Sequence, residues 1–259
     1  MSRTEVVVYA TPRLLAAAAA ARLVTRLVDL QAAKGSASLV LTGGGTGIAM
    51  LEQLRDSPAR DAIDWRRLDV YWGDERFVPG GDPERNEKQA REALLDHVPV
   101  DPDRVHAMAP SDGEFGADPD AAAAAYAAVL AAHARPEDHG DVPTFDILLL
   151  GLGGEGHTAS IFPESPSVYE TERSVVAVRH SPKPPPTRIS LTLPAIRQAA
   201  EVWLAASGEG KADAVALALA GAGEVQLPVA GARGQRRTLW LLDRAAAGKL
   251  QRVYQPPLA

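Results

Sequence analysis

Residues 38–47 read SLVLTGGGTG. The run from Ser38 to Thr42 is short and rich in Leu and Val, which is typical of a β-strand that is buried on both faces. Four of the next five residues are glycine, so the backbone can turn tightly, and a helix is predicted to begin near Ile48. A buried strand, a glycine turn and a helix together make the repeating unit of a parallel α/β sheet.

The same pattern recurs along the chain. Between most of the apolar runs lie Ala-, Leu- and Arg-rich stretches that are long enough for a helix, so we predict an α/β fold with a largely parallel sheet covered by helices on both faces. A Pro- and Asp-rich stretch at 98–119 is predicted to be a long loop within a single domain, residues 1–259; whether it forms a lid stays open. The predicted strands are Val6–Tyr9, Ser38–Thr42, Leu68–Trp72, Phe145–Leu150, Ser174–Val178, Ile189–Leu193, Val202–Ala206 and Thr238–Leu242.

Composition excludes several classes of protein. The 259 residues include no Cys, which excludes disulfide scaffolds, thiolate metal sites and cysteine nucleophiles. The net charge is -6 and the 27 cations are scattered among 33 anions, so we expect no nucleic-acid partner. The apolar run Leu14–Ala21 is far shorter than the ~20 residues of a membrane span, and Thr11 with Pro12 predicts the start of an amphipathic helix. We expect a cytoplasmic protein with no membrane partner.

The glycine turn is a candidate anion site. Gly43, Gly44 and Gly45 allow close approach of the backbone, and free amides at a helix start point at an anion such as phosphate. Thr46 adds a hydroxyl. The alternative is a plain strand-to-helix turn. A nucleotide P-loop is excluded because no Lys follows the last glycine.

Two further strand ends carry candidate residues. After Leu68–Trp72 come Asp74, Glu75 and Arg76, of which Arg76 is predicted to face a cleft; the alternative is a surface ion pair with either carboxylate. We expect no metal at this point, since neither a His nor a third carboxylate lies beside the pair. After Phe145–Leu150 comes His157, set among glycines, where an imidazole can exchange a proton with a ligand.

The segment Ser181–Arg188 contains four prolines and is predicted to be stiff and extended. In that conformation Lys183 and Arg188 lie at the rim of the cleft about 15 Å apart. They would then not both contact one phosphate.

These pieces together resemble the 6-phosphogluconolactonases, a family in one superfamily with glucosamine-6-phosphate deaminase. The resemblance runs from residue 38 to residue 245. It rests on the strand with Gly43–Thr46, on Asp74–Arg76 with Asn86, on Gly151–Pro163, on Pro182–Arg188 with Leu191 and Thr192, on Gly210 with Lys211, and on Leu241–Asp243 with Ala245.

The resemblance implies a modified doubly wound, Rossmann-like fold and hydrolysis of 6-phospho-D-glucono-1,5-lactone in the oxidative pentose phosphate pathway. The substrate is a small phosphosugar lactone, and neither a cofactor nor a metal is implied; the oligomeric state stays open. The implied catalytic residues are His157 as base and then acid, Glu155, and Arg76. The implied substrate-binding residues are Gly43, Gly44, Gly45, Thr46, Asp74, Lys183 and Arg188.

Two departures from the family pattern bear on these roles. The family often has Ser-Thr-Pro where this chain has Gly45, Thr46 and Gly47, so backbone amides and Thr46 must replace the Ser contact. The acidic residue two positions before the histidine is commonly Asp, and here it is Glu155. A side chain longer by one methylene must reach the imidazole through another rotamer.

Two other functions compete with the lactonase. A glucosamine-6-phosphate deaminase shares the glycine loop and the Gly-His segment, but it lacks the proline segment and typically has Phe-Asn-Glu-Pro where this chain has Ser160–Pro163. The second competing function is that of a phosphosugar-binding module without turnover. No helix-turn-helix segment precedes Val6, which favours the enzyme.

Overall fold

The computed structural model describes residues 2–138 and 140–250. The strands are β1 Arg3–Tyr9, β2 Ala37–Leu41, β3 Leu68–Trp72, β4 Asp74–Arg76, β5 Ile147–Leu150, β6 Val175–Val178, β7 Arg188–Leu191, β8 Glu201–Ala206 and β9 Arg237–Asp243. The α-helices are α1 Pro12–Lys34, α2 Gly44–Arg55, α3 Asn86–Ala93, α4 Pro119–His133, α5 Leu193–Ile196 and α6 Ala212–Leu219. Each of the predicted strand segments contains a strand, and β4 is an addition that the sequence analysis missed.

The main sheet is parallel throughout and has six strands in the order β1-β9-β8-β5-β2-β3. Helices flank it, which confirms the predicted α/β, Rossmann-like fold. The chain leaves β2 outward to β3 and later returns to insert β5 on the other side of β2. This reversal is a topological switch point, where the carboxyl ends of neighbouring strands open a crevice for ligands.

The strands β4, β7 and β6 form a second, antiparallel sheet. Two of the predicted strand segments, those of β6 and β7, therefore lie outside the main parallel sheet. A parallel connection needs a crossover of a dozen or more residues, usually a helix. Only the nine residues 179–187 join β6 to β7, so the chain folds back as an antiparallel pair.

The helix α1 begins as the sequence predicts. Thr11 is its N-cap and accepts a hydrogen bond from the Leu14 N–H, and Pro12 occupies the first turn. Its buried face, which includes Leu15, Leu23 and Leu27, joins one hydrophobic cluster with strands of both sheets. We infer one domain from this continuous core, and residues 251–259 lie outside the described part.

The loop at 98–119 is tied to the edge of the main sheet. The His106 N–H donates to the Val70 carbonyl at 2.8 Å, and the Ser111 N–H donates to the Val78 carbonyl at 3.0 Å. Arg85 Nη2 donates to the Met108 carbonyl at 2.7 Å from within the core.

Among the described residues, no helix has both the length and the apolar character that crossing a membrane requires.

The contact between α2 and β2 depends on a missing side chain. A Cβ on Gly47 would lie 2.6 Å from the Thr42 carbonyl oxygen, whereas a Cβ on Gly45 would meet nothing within 4 Å. Gly47→Ala should lower the free energy of unfolding by about 1–3 kcal/mol, because the helix must move off the strand. The matched control Gly45→Ala should change it by less than about 1 kcal/mol. Urea titration checks both, and equal effects would contradict this account of the close approach.

Candidate active site

A cleft opens at the carboxyl ends of β2, β5 and β8, with β4 and β7 along one side. It brings together most of the residues that the sequence analysis singled out, and adds Asn86, Ala159, Ser207 and Lys211. No residue of the 98–119 loop lines it. The lining residues are Thr42, Gly43, Gly44, Gly45, Thr46, Gly47, Asp74, Arg76, Asn86, Gly151, Leu152, His157, Ala159, Arg188, Ala205, Ala206, Ser207 and Lys211.

The glycine loop is the first turn of a helix rather than a turn that precedes one. The helix α2 begins at Gly44, not near Ile48, and its N-cap Gly43 makes no side-chain capping bond. The amides of the first turn of any α-helix lack partners within the helix. The N–H groups of Gly44, Gly45 and Thr46 therefore lie at the positive end of α2, beside the cleft. This is the geometry that the anion-site interpretation requires.

Lys211 is a site residue to which the sequence analysis assigned no role. It lies shortly after β8, in a short helical turn, and lines the cleft. Its ammonium has no hydrogen bond or ion pair within the described chain. Burial, and then the charge of Lys183, lower the pKa of Lys211. The available signal was its position after a predicted strand end, next to Gly210.

Two arginines lie at directly opposed positions on adjacent strands of the second sheet. Arg76 on β4 pairs directly with Arg188 on β7, and both side chains line the cleft. Like charges at directly opposed positions destabilise a strand pair unless an anion lies between or near them. Arg76 donates from Nη1 to the Glu84 carbonyl at 2.6 Å, and its buried Nε has no partner. The alternative of an ion pair with Asp74 or Glu75 is wrong.

Arg188 also organises the proline segment. Its Nε donates to the Pro185 carbonyl at 3.1 Å, and its Nη2 donates to the Lys183 and Pro184 carbonyls, both at 3.1 Å. The segment thus curls around the guanidinium, so the prediction of an extended conformation with widely separated cations is wrong. The remaining nitrogen, Nη1, lies 4.0 Å from Asp74 Oδ2 and is left for a ligand.

The carboxylates after β3 are buried and already bonded. Asp74 Oδ2 accepts the Ser160 hydroxyl at 2.6 Å, and Asn86 Nδ2 donates to the Asp74 carbonyl at 2.8 Å. Glu75 accepts the backbone N–H groups of Arg76, Asn86 and Glu87 at 2.7–2.9 Å. Burial raises the pKa of Glu75 to about 7, with Arg85 and these amides opposing the rise. Glu75 therefore fixes the loop that carries Arg76 and Asn86.

Within the described ranges, no three His, Asp or Glu side chains are grouped as a metal centre requires.

His157 is held from one side and open on the other. Glu155 Oε1 lies 2.7 Å from His157 Nδ1, and the ring stacks on Phe162 with centroids 4.5 Å apart. A Cβ on Gly153 would lie 2.0 Å from His157 Nδ1, so only glycine leaves room for this pair. In the tautomer that donates from Nδ1 to the carboxylate, Nε2 carries the free lone pair, and His157 lines the cleft. The Glu155 carboxylate therefore contacts the imidazole directly, although its side chain is one methylene longer than the Asp that is common in the family.

Lys183 contacts both Glu155 and His157. Its Nζ lies 2.8 Å from Glu155 Oε1 and 3.5 Å from His157 Nδ1, and neither Lys183 nor Glu155 lines the cleft. Burial opposes the shift, but the Lys183 ammonium and the His157 ring together lower the pKa of Glu155 to about 2. Burial lowers the pKa of His157; Glu155 opposes this shift and Lys183 adds to it. Burial therefore favours the neutral imidazole, which is the form that can accept a proton.

Comparison with known proteins agrees with this site. The sequence profile of the glucosamine-6-phosphate isomerases/6-phosphogluconolactonase family matches residues 10–240. A 6-phosphogluconolactonase of Streptomyces coelicolor is 65% identical over 253 residues, which are 98% of this chain and 97% of the relative. A second, from Mycobacterium tuberculosis, is 57% identical over 92% of this chain and 94% of its own length.

The chain belongs to this family.

Solved structures of the family share its fold. The 6-phosphogluconolactonase of Trypanosoma brucei is 30% identical, covers 97% of this chain and 100% of its own, and superposes with a TM-score of 0.83. A monomeric glucosamine-6-phosphate deaminase superposes with a TM-score of 0.77 over 95% of this chain and 99% of its own, at 22% identity. That second likeness shows a common fold and no more.

The position of Lys183 makes the pH dependence of any His157-dependent reaction testable. Lys183→Met removes a positive charge beside the imidazolium. It also removes the ion pair between Lys183 and Glu155, so that Glu155 contacts only His157 of these two residues, and the pKa of His157 should rise. The acidic limb of the kcat/KM profile should then move to higher pH. Glu155→Gln should move it to lower pH, because the stabilising anion is lost.

Lys88→Ala is the matched control, since Lys88 pairs with Glu92 on the surface of α3. Its profile should not move. A higher KM for Lys183→Met with an unshifted acidic limb would instead assign Lys183 to the substrate, as the sequence predicted.

Proposed function

We propose that this chain hydrolyses 6-phospho-D-glucono-1,5-lactone to 6-phospho-D-gluconate in the oxidative pentose phosphate pathway. The observation that carries the proposal is that His157, paired with the Glu155 carboxylate, lies in the same cleft as a set of cations and helix amides. Acyl chemistry and phosphate binding are thereby combined in one small site. The 65% identity to a 6-phosphogluconolactonase supports this substrate over a deaminase substrate.

The phosphate would bind at the glycine loop. The amides of Gly44, Gly45 and Thr46 offer hydrogen bonds, and Lys211 offers an ammonium that has no partner within the described part of the chain. Arg188 adds Nη1, since its other donors hold the proline segment. A phosphate at this end of the cleft directs the lactone ring toward His157 and Asp74, whose carboxylate can accept a sugar hydroxyl.

Hydrolysis then needs a base, an acid and a donor for the oxyanion. Nε2 of His157 takes a proton from water as the water oxygen bonds to the lactone carbonyl carbon, and the carbonyl oxygen gains the negative charge. The tetrahedral adduct collapses, the bond to the ring oxygen breaks, and the imidazolium returns its proton to that oxygen. Glu155 stabilises the imidazolium between these steps. One cationic Arg76 about 4 Å from the oxyanion contributes about 4 kcal/mol at an effective dielectric of 20.

Removing the base should abolish most of the activity. His157→Ala should lower kcat about 100- to 10,000-fold while affinity for 6-phosphogluconate stays nearly unchanged, because the phosphate site is untouched. Lactone loss, corrected for spontaneous hydrolysis, measures this. The control is His97→Ala, whose ring contacts the Glu92 carbonyl away from the cleft. A His157→Ala enzyme with more than a tenth of the activity would refute the role of this histidine.

The phosphate site should discriminate between two ligands that differ only in the phosphoryl group. Lys211→Ala should weaken binding of 6-phosphogluconate at least about 10-fold more than binding of gluconate, because it removes a charge-assisted contact. Arg188→Ala should weaken both, since it also releases the proline segment. Lys249→Ala, which loses only a surface pair with Asp213, is the control.

Calorimetric titration with the two ligands checks these effects. Equal weakening of both by Lys211→Ala would remove Lys211 from the phosphate site. Tight binding of 6-phosphogluconate by a wild-type protein that does not accelerate lactone loss would identify a binding module instead of an enzyme.

A further inference from the structure

Ala159 has an unfavourable backbone conformation beside the catalytic histidine. Its φ is 47°, in the left-handed region that glycine tolerates and alanine avoids. Non-glycine residues persist there only where the surrounding structure forces the conformation, and such positions cluster at functional sites. Ala159 lines the cleft two residues after His157.

The backbone around Ala159 leaves one amide without a partner. The Ile161 N–H donates to the Thr158 carbonyl at 2.9 Å, and the Thr158 N–H donates back to the Ile161 carbonyl at 3.3 Å, which closes a tight turn with Ala159 and Ser160 at its corner. The Ser160 N–H donates to Ser190 Oγ at 3.1 Å. The Ala159 N–H has no hydrogen bond within residues 2–138 and 140–250.

Buried side chains hold this turn rigidly. The Thr158 hydroxyl donates to the Gly151 carbonyl at 2.8 Å, and the Ser160 hydroxyl donates to Asp74 Oδ2 at 2.6 Å. Thr158, Ser160 and Ile161 are fully buried, so within the turn only Ala159 is partly exposed. Hydrogen bonds of the residues on both sides therefore restrain the positive φ of Ala159, which lines the cleft. An orienting network of this kind is what a preorganised donor requires.

We propose that the Ala159 backbone N–H is an oxyanion donor for the lactone carbonyl, acting together with Arg76. This role rests on the proposed lactonase activity. Two Cα steps of about 3.8 Å place the Ala159 amide within about 8 Å of the His157 Cα. Both residues line the same cleft, so a lactone carbonyl bound there can contact the amide and a water on His157 together.

The amide acts without being consumed. As the water oxygen bonds to the carbonyl carbon, the carbonyl π electrons move to oxygen, and the Ala159 N–H bonds more strongly to the oxyanion than to the ground-state carbonyl. When the ring C–O bond breaks, those electrons re-form the carbonyl and the amide contact weakens. The donor thereby lowers the barrier of the addition step with little effect on ground-state binding.

The sharpest test replaces the amide with an ester. Incorporation of lactic acid at position 159 removes the N–H and keeps the methyl group, while Ala159→Gly keeps the N–H and accepts the positive φ. The ester variant should lose about 100- to 1,000-fold in kcat, the range for one oxyanion donor, with affinity for 6-phosphogluconate within about threefold of wild type. Ala159→Gly should retain kcat within about tenfold.

A measurement on the unmodified chain keeps the inference testable if the ester variant does not fold. The Ala159 amide proton resonance should move downfield when a phosphorylated phosphonate that mimics the tetrahedral adduct binds, and should not move with inorganic phosphate. An ester variant with more than a tenth of wild-type kcat, an equal loss in Ala159→Gly, or an unmoved resonance would overturn the role of the amide. Failure of wild type to hydrolyse the lactone would instead overturn the proposed function.

Discussion

The backbone ladder between β2 and β5 is the constraint on which the site depends. Leu39 pairs with Ile147 and Val40 with Leu148, so two parallel strands from distant parts of the chain end side by side. The glycine helix start follows one strand and the histidine segment follows the other. Their hydrogen-bonded register places the start of α2 beside the segment that carries His157.

The carboxylates at the cleft are more fully hydrogen-bonded than the cations. The Glu75 carboxylate accepts three backbone N–H groups, and Asp74 Oδ2 accepts the Ser160 hydroxyl. Among residues 2–138 and 140–250, Lys211 has no hydrogen bond or ion pair. The cleft therefore presents positive charge in a partly buried setting, where each interaction with an anion is stronger than in water. Glu155 is the carboxylate that contacts the histidine ring.

Rigidity in the site comes from the second sheet. The cross-strand pair of β4 and β7 presents Arg76 and Arg188 together, and Ser190 on β7 accepts the Ser160 N–H that restrains the turn at Ala159. The small antiparallel sheet thus forms one side of the cleft and restrains the turn at Ala159. The strain at Ala159 is balanced by the buried hydrogen bonds of Thr158 and Ser160.

The sequence by itself determined the α/β class, the strand segments, the glycine loop and His157, because period and strand-end position are local properties of the chain. It did not determine the second sheet, the curled proline segment or the place of Lys183 behind the imidazole. The second sheet and the position of Lys183 depend on contacts between distant segments, such as β4 with β7 and Lys183 with Glu155. The curl of the proline segment depends on hydrogen bonds from Arg188 to carbonyls three to five residues earlier, which period and strand-end position do not encode. Only tertiary structure decides which of several cations and amides meet in one cleft.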